Sequence, residues 1–133
     1  MARRNATTLI VVEDEPAIRT IVAEKLRQAG FDVESFADGE AGLRAVRELA
    51  PCAVVTDYEM PLLDGLSLAR AMRADAATAH IPVILLTARG HRLSHNDIKD
   101  TSIRTVVMKP FSMRELVGTV TELVGSETDA EAA

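Results

Sequence analysis

The sequence predicts one α/β domain: a parallel five-stranded sheet covered by helices on both faces. Short apolar runs alternate with stretches of helical periodicity in five successive units. The runs read as solid aliphatic stretches more than as alternating ones, which suits strands buried on both sides. A length of 133 residues fits a single domain. Hydrophobic residues at 47% and charged residues at 26% are ordinary globular usage, and aromatics at 3% leave the core to aliphatic side chains.

The first run, Thr8 to Val12, is β-prone and ends abruptly in Glu13, Asp14 and Glu15. Pro16 suits the first turn of a helix, in which Ile18, Ile21, Val22, Leu26 and Ala29 recur at helical spacing until Gly30 stops it. Phe31 to Phe36 alternates loosely enough for a second strand. Asp38-Gly39 introduces a helix with Leu43, Val46 and Leu49 on one side, closed by Pro51. Ala53-Val54-Val55 is a buried strand that delivers Asp57 at its carboxyl end, where Met60-Pro61 stiffens the following loop and Asp64-Gly65 closes it. Asp64 caps a helix with Leu66, Ala69 and Met72 inward, and Pro82 leads into the fourth strand, Val83 to Thr87. Residues 88–101 are polar, with a faint helix near Leu93 to Lys99. Thr105 to Met108 forms the fifth strand, ended by Lys109-Pro110. Ser112 with Glu115 makes a capping box for a last helix whose apolar face is Met113, Leu116, Val120, Leu123 and Val124, up to Gly125. The domain is therefore expected over residues 8–125, after an N-terminal extension (1–7) and before an acidic flexible tail (126–133).

Fifteen basic against twenty acidic residues give a net charge of −5, which argues against nonspecific binding to nucleic acid or to an anionic membrane. The lone Cys52 opens an apolar run and reads as a buried thiol in a reducing compartment. MARRNATT lacks the apolar stretch of a signal peptide, and no later run could span a membrane, so a cytoplasmic protein is expected.

In a doubly wound sheet, ligands bind beyond the carboxyl ends of the strands. The residues there are Glu13 and Asp14, Asp57, Thr87 and Lys109. Three carboxylates brought together repel one another unless a cation sits among them, and oxygen-only donors suit Mg²⁺ better than zinc. A lysine and a hydroxyl aimed at the same place are equipment for handling a phosphoryl group, so Asp57 is a candidate acceptor. Taken singly, each residue could as well be a turn or helix-cap residue.

The series E-D, D-x-E-M-P-x-x-D-G, T-A and K-P-F, each closing a β-run, resembles a CheY-like receiver domain of a bacterial two-component response regulator over Leu9 to Gly125. The resemblance implies a flavodoxin-like strand order of 2-1-3-4-5 and phosphorylation of Asp57 by a histidine kinase or a histidine phosphotransfer protein. It implies that Glu13, Asp14, Asp57 and the backbone carbonyl of Glu59 hold Mg²⁺, that Lys109 pairs with the phosphoryl oxygens and that Thr87 moves with them. A cis Lys109-Pro110 bond is also implied. On this reading the protein is a phosphoacceptor switch that assists its own phosphorylation and dephosphorylation, not an enzyme acting on others. It would be a stand-alone receiver, monomeric unless phosphorylation drives dimerisation, acting on a protein target and on neither nucleic acid nor membrane.

Two positions depart from the family pattern. Val106 stands where a tyrosine or phenylalanine usually provides the switch ring, and Ser102-Ile103 replaces a common Gly-Ala pair. With Pro110 and Phe111, Val106 and Ile103 are expected on the output face formed by the fourth helix, fifth strand and fifth helix, where they imply an atypical output route. Arg89 and Glu59 are expected to pair across the rim and to set the lifetime of the acyl phosphate. The basic segment Ala88 to Asp97, with Arg89, His91, Arg92 and His95, reads as a solvated loop, with an interaction surface for an acidic or phosphorylated partner as the alternative. Two rival readings are a receiver-like scaffold that signals without phosphorylation and a Mg²⁺-dependent phosphatase with an aspartyl nucleophile, of the haloacid-dehalogenase kind. The phosphatase is disfavoured because its D-x-D motif follows the first strand, whereas Asp57 follows the third.

Overall fold

The structure, a computed structural model, describes residues 5–88 and 93–132. Its elements follow in strict alternation: β1 Asn5–Val12, α1 Pro16–Gln28, β2 Asp32–Phe36, α2 Gly39–Leu49, β3 Pro51–Asp57, α3 Gly65–Ala74, β4 Val83–Thr87, α4 His95–Ile98, β5 Ile103–Met108 and α5 Met113–Ala132. All strand pairings are parallel, and the order across the sheet is β2-β1-β3-β4-β5. The (βα)5 doubly wound architecture and its strand order are those expected. The chain reverses its direction of travel across the sheet between β1 and β3, so the loops after these two central strands open into one crevice.

Alternation along each strand divides the core between two faces. Leu9, Val11, Val55, Ile84 and Leu86 meet Val22, Leu26, Leu116 and Val120 from α1 and α5. Ile10, Val12, Val54 and Leu85 meet Val46, Leu68, Ala69 and Met72 from α2 and α3. Every residue of β3 and β4 is buried, which places Asp57 and Thr87 at the ends of rigid, fully covered strands. Cys52 is buried with them and forms no disulfide.

The helix starts follow the sequence signals. Pro16 occupies the first turn of α1. The Asp38 carboxylate accepts from the Ala41 amide at 2.8 Å, and that of Asp64 accepts from Ser67 at 2.7 Å. The Ser112 hydroxyl accepts from the Glu115 amide at 3.0 Å and donates to its carboxylate at 3.4 Å. Gly30 ends α1 with φ +105°, a conformation glycine adopts without penalty.

Several boundaries differ from expectation. β1 starts at Asn5 and β3 at Pro51, because the two ends pair with each other. Helix α4 is a single turn, held by a reciprocal Ser94–Asp97 capping box. Helix α5 does not stop at Gly125 but continues in its backbone to Ala132, since one glycine costs only about 1 kcal/mol in a segment rich in alanine and glutamate. At the end of α2 the C-cap is Ala50, with φ 45° in the left-handed region. Ala50→Gly is therefore expected to raise stability by about 0.5–1 kcal/mol, read as a higher urea midpoint with an unchanged slope.

Candidate functional site

The site is built at the carboxyl edge of β1, β3, β4 and β5. Asp57 is the last residue of β3 and 6% exposed. Its peptide is tied down on both sides: the Tyr58 amide donates to the Leu86 carbonyl at 2.8 Å, and the Thr56 hydroxyl donates to the Asp57 carbonyl at 3.0 Å. The loop that follows closes on itself, with the Gly65 amide donating to the Tyr58 carbonyl at 2.9 Å. Gly65 packs so tightly beneath Asp57 that a Cβ would collide with the Asp57 carbonyl oxygen. Within the loop, Leu62 is 79% exposed and has φ +70°.

Lys109 reaches Asp57 from the end of β5. Its amide donates to the Thr87 carbonyl at 3.0 Å, and its Nζ lies 2.8 Å from Asp57 Oδ1 and 3.6 Å from Glu13 Oε1. The Lys109-Pro110 bond is cis, as the resemblance implies. Glu13 follows β1 and is buried. Its amide donates to the Phe36 carbonyl at 3.0 Å, and its Oε2 accepts from the Glu15 amide at 3.2 Å. Asp14 is exposed, and carboxylate oxygens of Glu13, Asp14 and Asp57 all lie within 4.8 Å of one another. Thr87 ends β4 and is buried.

Three carboxylates and one ammonium leave this edge strongly negative, and the protonation equilibria register it. Burial pushes the Asp57 carboxyl above its ordinary value; the Lys109 hydrogen bond and charge oppose the shift without cancelling it, and Asp14 adds to it. Glu13 is likewise raised, first by burial and then by the Asp57 carboxylate, against the Glu15 amide and Lys109. Burial disfavours the charge on Lys109, yet its contacts with Asp57 and Glu13 more than offset that and raise its pKa.

These residues fit a hard divalent cation. Glu13 Oε1 is buried without a hydrogen-bond partner, the convergent donors are all oxygen, and a cation among them would offset the cost of burying these charges, which chiefly raises Asp57 and Glu13, together with their mutual repulsion. Mg²⁺, which favours carboxylates and water, matches that donor set better than a metal that prefers nitrogen or sulfur.

The structure thus brings together Glu13, Asp14, Asp57 and Lys109, with Thr87 at the neighbouring strand end. Glu59 lies exposed two residues past Asp57. Arg89, its expected partner, lies outside the described residues, as do His91 and Arg92. Ile103 requires a correction: it is not a surface residue of the β5 face but is 8% exposed within the core beside Met72, Ile81 and Val83. The cause is a bulge. Val83 pairs with Ile103 but Ile84 pairs with Thr105, so the extra residue, Arg104, lets Ile103 share Val83's inward face. Val106 lies on that same face opposite Leu85, half-buried. Pro110 is exposed, while Phe111 packs partly against the core under α1 and α5. Met108, 52% exposed on β5, and Leu62 are apolar surface residues the sequence did not single out. Solid aliphatic runs carry no signal for which member ends up outside.

Comparison with known proteins agrees with this geometry. The family model described as "Response regulator receiver domain" matches residues 9–121. The chain is 32% identical over 116 residues to the DNA-binding dual master transcriptional regulator RpaA of Synechocystis, covering 87% of this chain and 48% of that protein. It is 35% identical over 112 residues to the DNA-binding response regulator MtrA of Mycolicibacterium smegmatis, covering 84% and 48%. The chain therefore spans about half the length of these relatives. Among solved structures, the receiver domain of a Pseudomonas aeruginosa sensor histidine kinase, crystallised with a magnesium ion in its active-site cleft, superposes with a TM-score of 0.80 at 28% identity, covering 90% of this chain and 98% of that one. Chemotaxis protein CheY4 of Vibrio cholerae gives 0.81 at 25%, covering 88% and 98%. Among the described residues no helix is long and apolar enough to cross a membrane. Sheet order, the acid cluster at the strand ends and a family match spanning almost the whole sheet lead to one assignment: the chain belongs to the response regulator receiver domain family, the phosphoacceptor switches of two-component signalling.

Proposed function

We infer that this receiver accepts a phosphoryl group on Asp57, in a Mg²⁺-dependent step, from the phosphohistidine of a histidine kinase or a histidine phosphotransfer protein, and that the product alters its binding to a protein target. The observation that carries this is Asp57 itself: a carboxylate at the end of a buried strand, 2.8 Å from the Lys109 ammonium and within 4.8 Å of two further acids. An Asp57 oxygen attacks phosphorus, the phosphorus–nitrogen bond to the donor imidazole breaks, and its electron pair returns to the ring nitrogen. Lys109 is placed to follow the charge onto the phosphoryl oxygens, and Thr87 offers a hydroxyl to one of them. Glu13, Asp14, Asp57 and the Glu59 carbonyl would hold Mg²⁺, which when bound neutralises charge between the acids and the incoming phosphoryl group. The new dianion competes with Asp57's former hold on Lys109, and this local change biases the neighbouring loops.

Val106 has no ring to swing inward, so in this receiver the signal passes by another route across the β5 face, on which Val106 and Met108 lie two residues apart. The same valine favours the second reading, a scaffold that works without phosphorylation. Incubation with acetyl phosphate and Mg²⁺, followed by intact-mass spectrometry, separates the two. A single Mg²⁺-dependent adduct, labile at both acidic and basic pH, is expected. No adduct with acetyl phosphate or with a phosphorylated kinase would leave the scaffold. Glu59 is exposed two residues past Asp57, and Glu59→Ala is expected to change the decay rate of phosphorylated Asp57 by about three- to tenfold, measured by loss of the adduct over time. An unaltered decay would remove Glu59 from the control of water access.

A further inference from the structure

Glu13 carries the one buried side-chain oxygen without a hydrogen-bond partner among the described residues, so what fixes Glu13 fixes the emptiest donor of the acid cluster. Three of its contacts come from the backbone or from the site itself: the Phe36 carbonyl, the Glu15 amide and Lys109. The fourth comes from a side chain outside the site. Arg19, one turn into α1, donates from Nη1 to the Glu13 carbonyl oxygen at 2.8 Å. That carbonyl belongs to the peptide joining Glu13 to Asp14, so the contact sets the direction in which both carboxylates leave the backbone.

We propose that Arg19 is a positioning residue for the acid cluster: by holding the Glu13–Asp14 peptide from α1, it presets the two carboxylates for a divalent cation. The inference rests on the reading of the cluster as a Mg²⁺ site. A half-buried guanidinium is planar and pre-organised, so it loses little freedom in one fixed hydrogen bond to the Glu13 carbonyl. Without it that peptide would lose this hold, since the Glu13 amide that bonds Phe36 belongs to the preceding peptide, and the cation would have to order the turn as it binds.

The same helix supplies a control. Arg27, two turns further on, donates from Nη2 to the Val33 carbonyl at 2.8 Å, an equivalent bond at the end of the helix remote from the acids. A purely structural role would make Arg19→Ala and Arg27→Ala alike. Titration of Mg²⁺ into the phosphate-free protein by calorimetry is expected to show about a tenfold weaker Kd for Arg19→Ala and no change for Arg27→Ala, with Arg19→Lys, which keeps a cationic donor, within about threefold of the wild type. Equal Mg²⁺ affinities in the wild type and Arg19→Ala, or equal losses in Arg19→Ala and Arg27→Ala, would overturn the proposal. Failure of the wild-type protein itself to bind Mg²⁺ would instead overturn the metal reading on which it rests. Should Arg19→Ala not fold, the Arg19→Lys titration still decides, because a loss of tenfold or more there contradicts the role of a cationic donor.

Discussion

Asp57→Asn is expected to abolish phosphoryl uptake completely and, without Mg²⁺, to make the protein more stable at neutral pH. The loss follows from chemistry, since an amide lacks the anionic oxygen that attacks phosphorus. The gain follows from electrostatics. Burial holds the Asp57 carboxyl above its ordinary value despite Lys109, so its ionised form is less favourable in the folded chain than in the unfolded one. A group raised in this way binds its proton more tightly when folded, so its contribution to stability is complete below the unfolded pKa and is lost as pH rises through the folded one. Glu13 is raised too and acts in the same direction. In EDTA the wild type should lose stability as pH climbs upward from the ordinary carboxylate range, and Asp57→Asn should flatten that decline, with a gain on the order of 1 kcal/mol at pH 7. Added Mg²⁺ should restore stability to the wild type more than to the variant. Urea midpoints across pH, with and without Mg²⁺, check this. A variant less stable than the wild type at pH 7 in EDTA would show that the Lys109 pairing outweighs the burial of charge.

Gly65→Ala should be among the most damaging small substitutions, alongside Gly39→Ala, whose methyl would meet the Leu63 carbonyl oxygen. At Gly65 the added methyl would meet the Asp57 carbonyl oxygen well inside contact distance and the Leu85 Cδ1 at 2.7 Å. Leu85 can shift, but the Asp57 carbonyl is the end of a buried strand and cannot yield without moving the acceptor. Overpacking commonly costs 1–3 kcal/mol, and a clash with fixed backbone should reach about 3 kcal/mol or more. Gly118→Ala offers the contrast. Nothing lies within 4 Å of its would-be Cβ on an exposed position of α5, so it should gain up to about 1 kcal/mol from helix propensity. Thermal or urea unfolding of the two variants reads the opposite signs directly. The residual folded Gly65→Ala protein should also take up phosphoryl groups more slowly, because relief of the clash displaces Asp57.

What could be read from the sequence was whatever is written in local chemistry. Solid aliphatic runs bounded by acids, a threonine or a lysine gave the strands, and parallel pairing then brought Glu13, Asp14, Asp57 and Lys109 to one edge. Asp38, Asp64 and Ser112 announced three helix starts because their side chains bond amides only three residues on. The features that escaped depend on partners distant in the chain or on the count of residues in a strand. The bulge at Arg104 inverts the facing of Ile103 relative to simple alternation, and nothing local to Ile103 marks it. Arg19 looks like any polar residue of an amphipathic helix until its reach to the Glu13 carbonyl is seen. Gly125 resembles a helix stop, yet the helix backbone continues because the residues after it favour helix as strongly as one glycine opposes it. The exposure of Leu62 in the left-handed region reflects the closure of the loop through Gly65, a contact between Tyr58 and a residue seven positions away.

The central claim is that Asp57, and no other carboxylate of the cluster, becomes the acyl phosphate. Borohydride reduces an aspartyl phosphate to homoserine, leaving a stable mark at the acceptor. After phosphorylation with acetyl phosphate and Mg²⁺, reduction and tryptic digestion, tandem mass spectrometry of the peptides from Asn5 to Arg19 and from Glu48 to Arg70 is expected to place homoserine at position 57 and to find Asp14 and Asp64 intact. Homoserine at Asp64 or at Asp14, or no reduction product in a protein that binds Mg²⁺, would contradict the assignment of Asp57 as the phosphoryl acceptor.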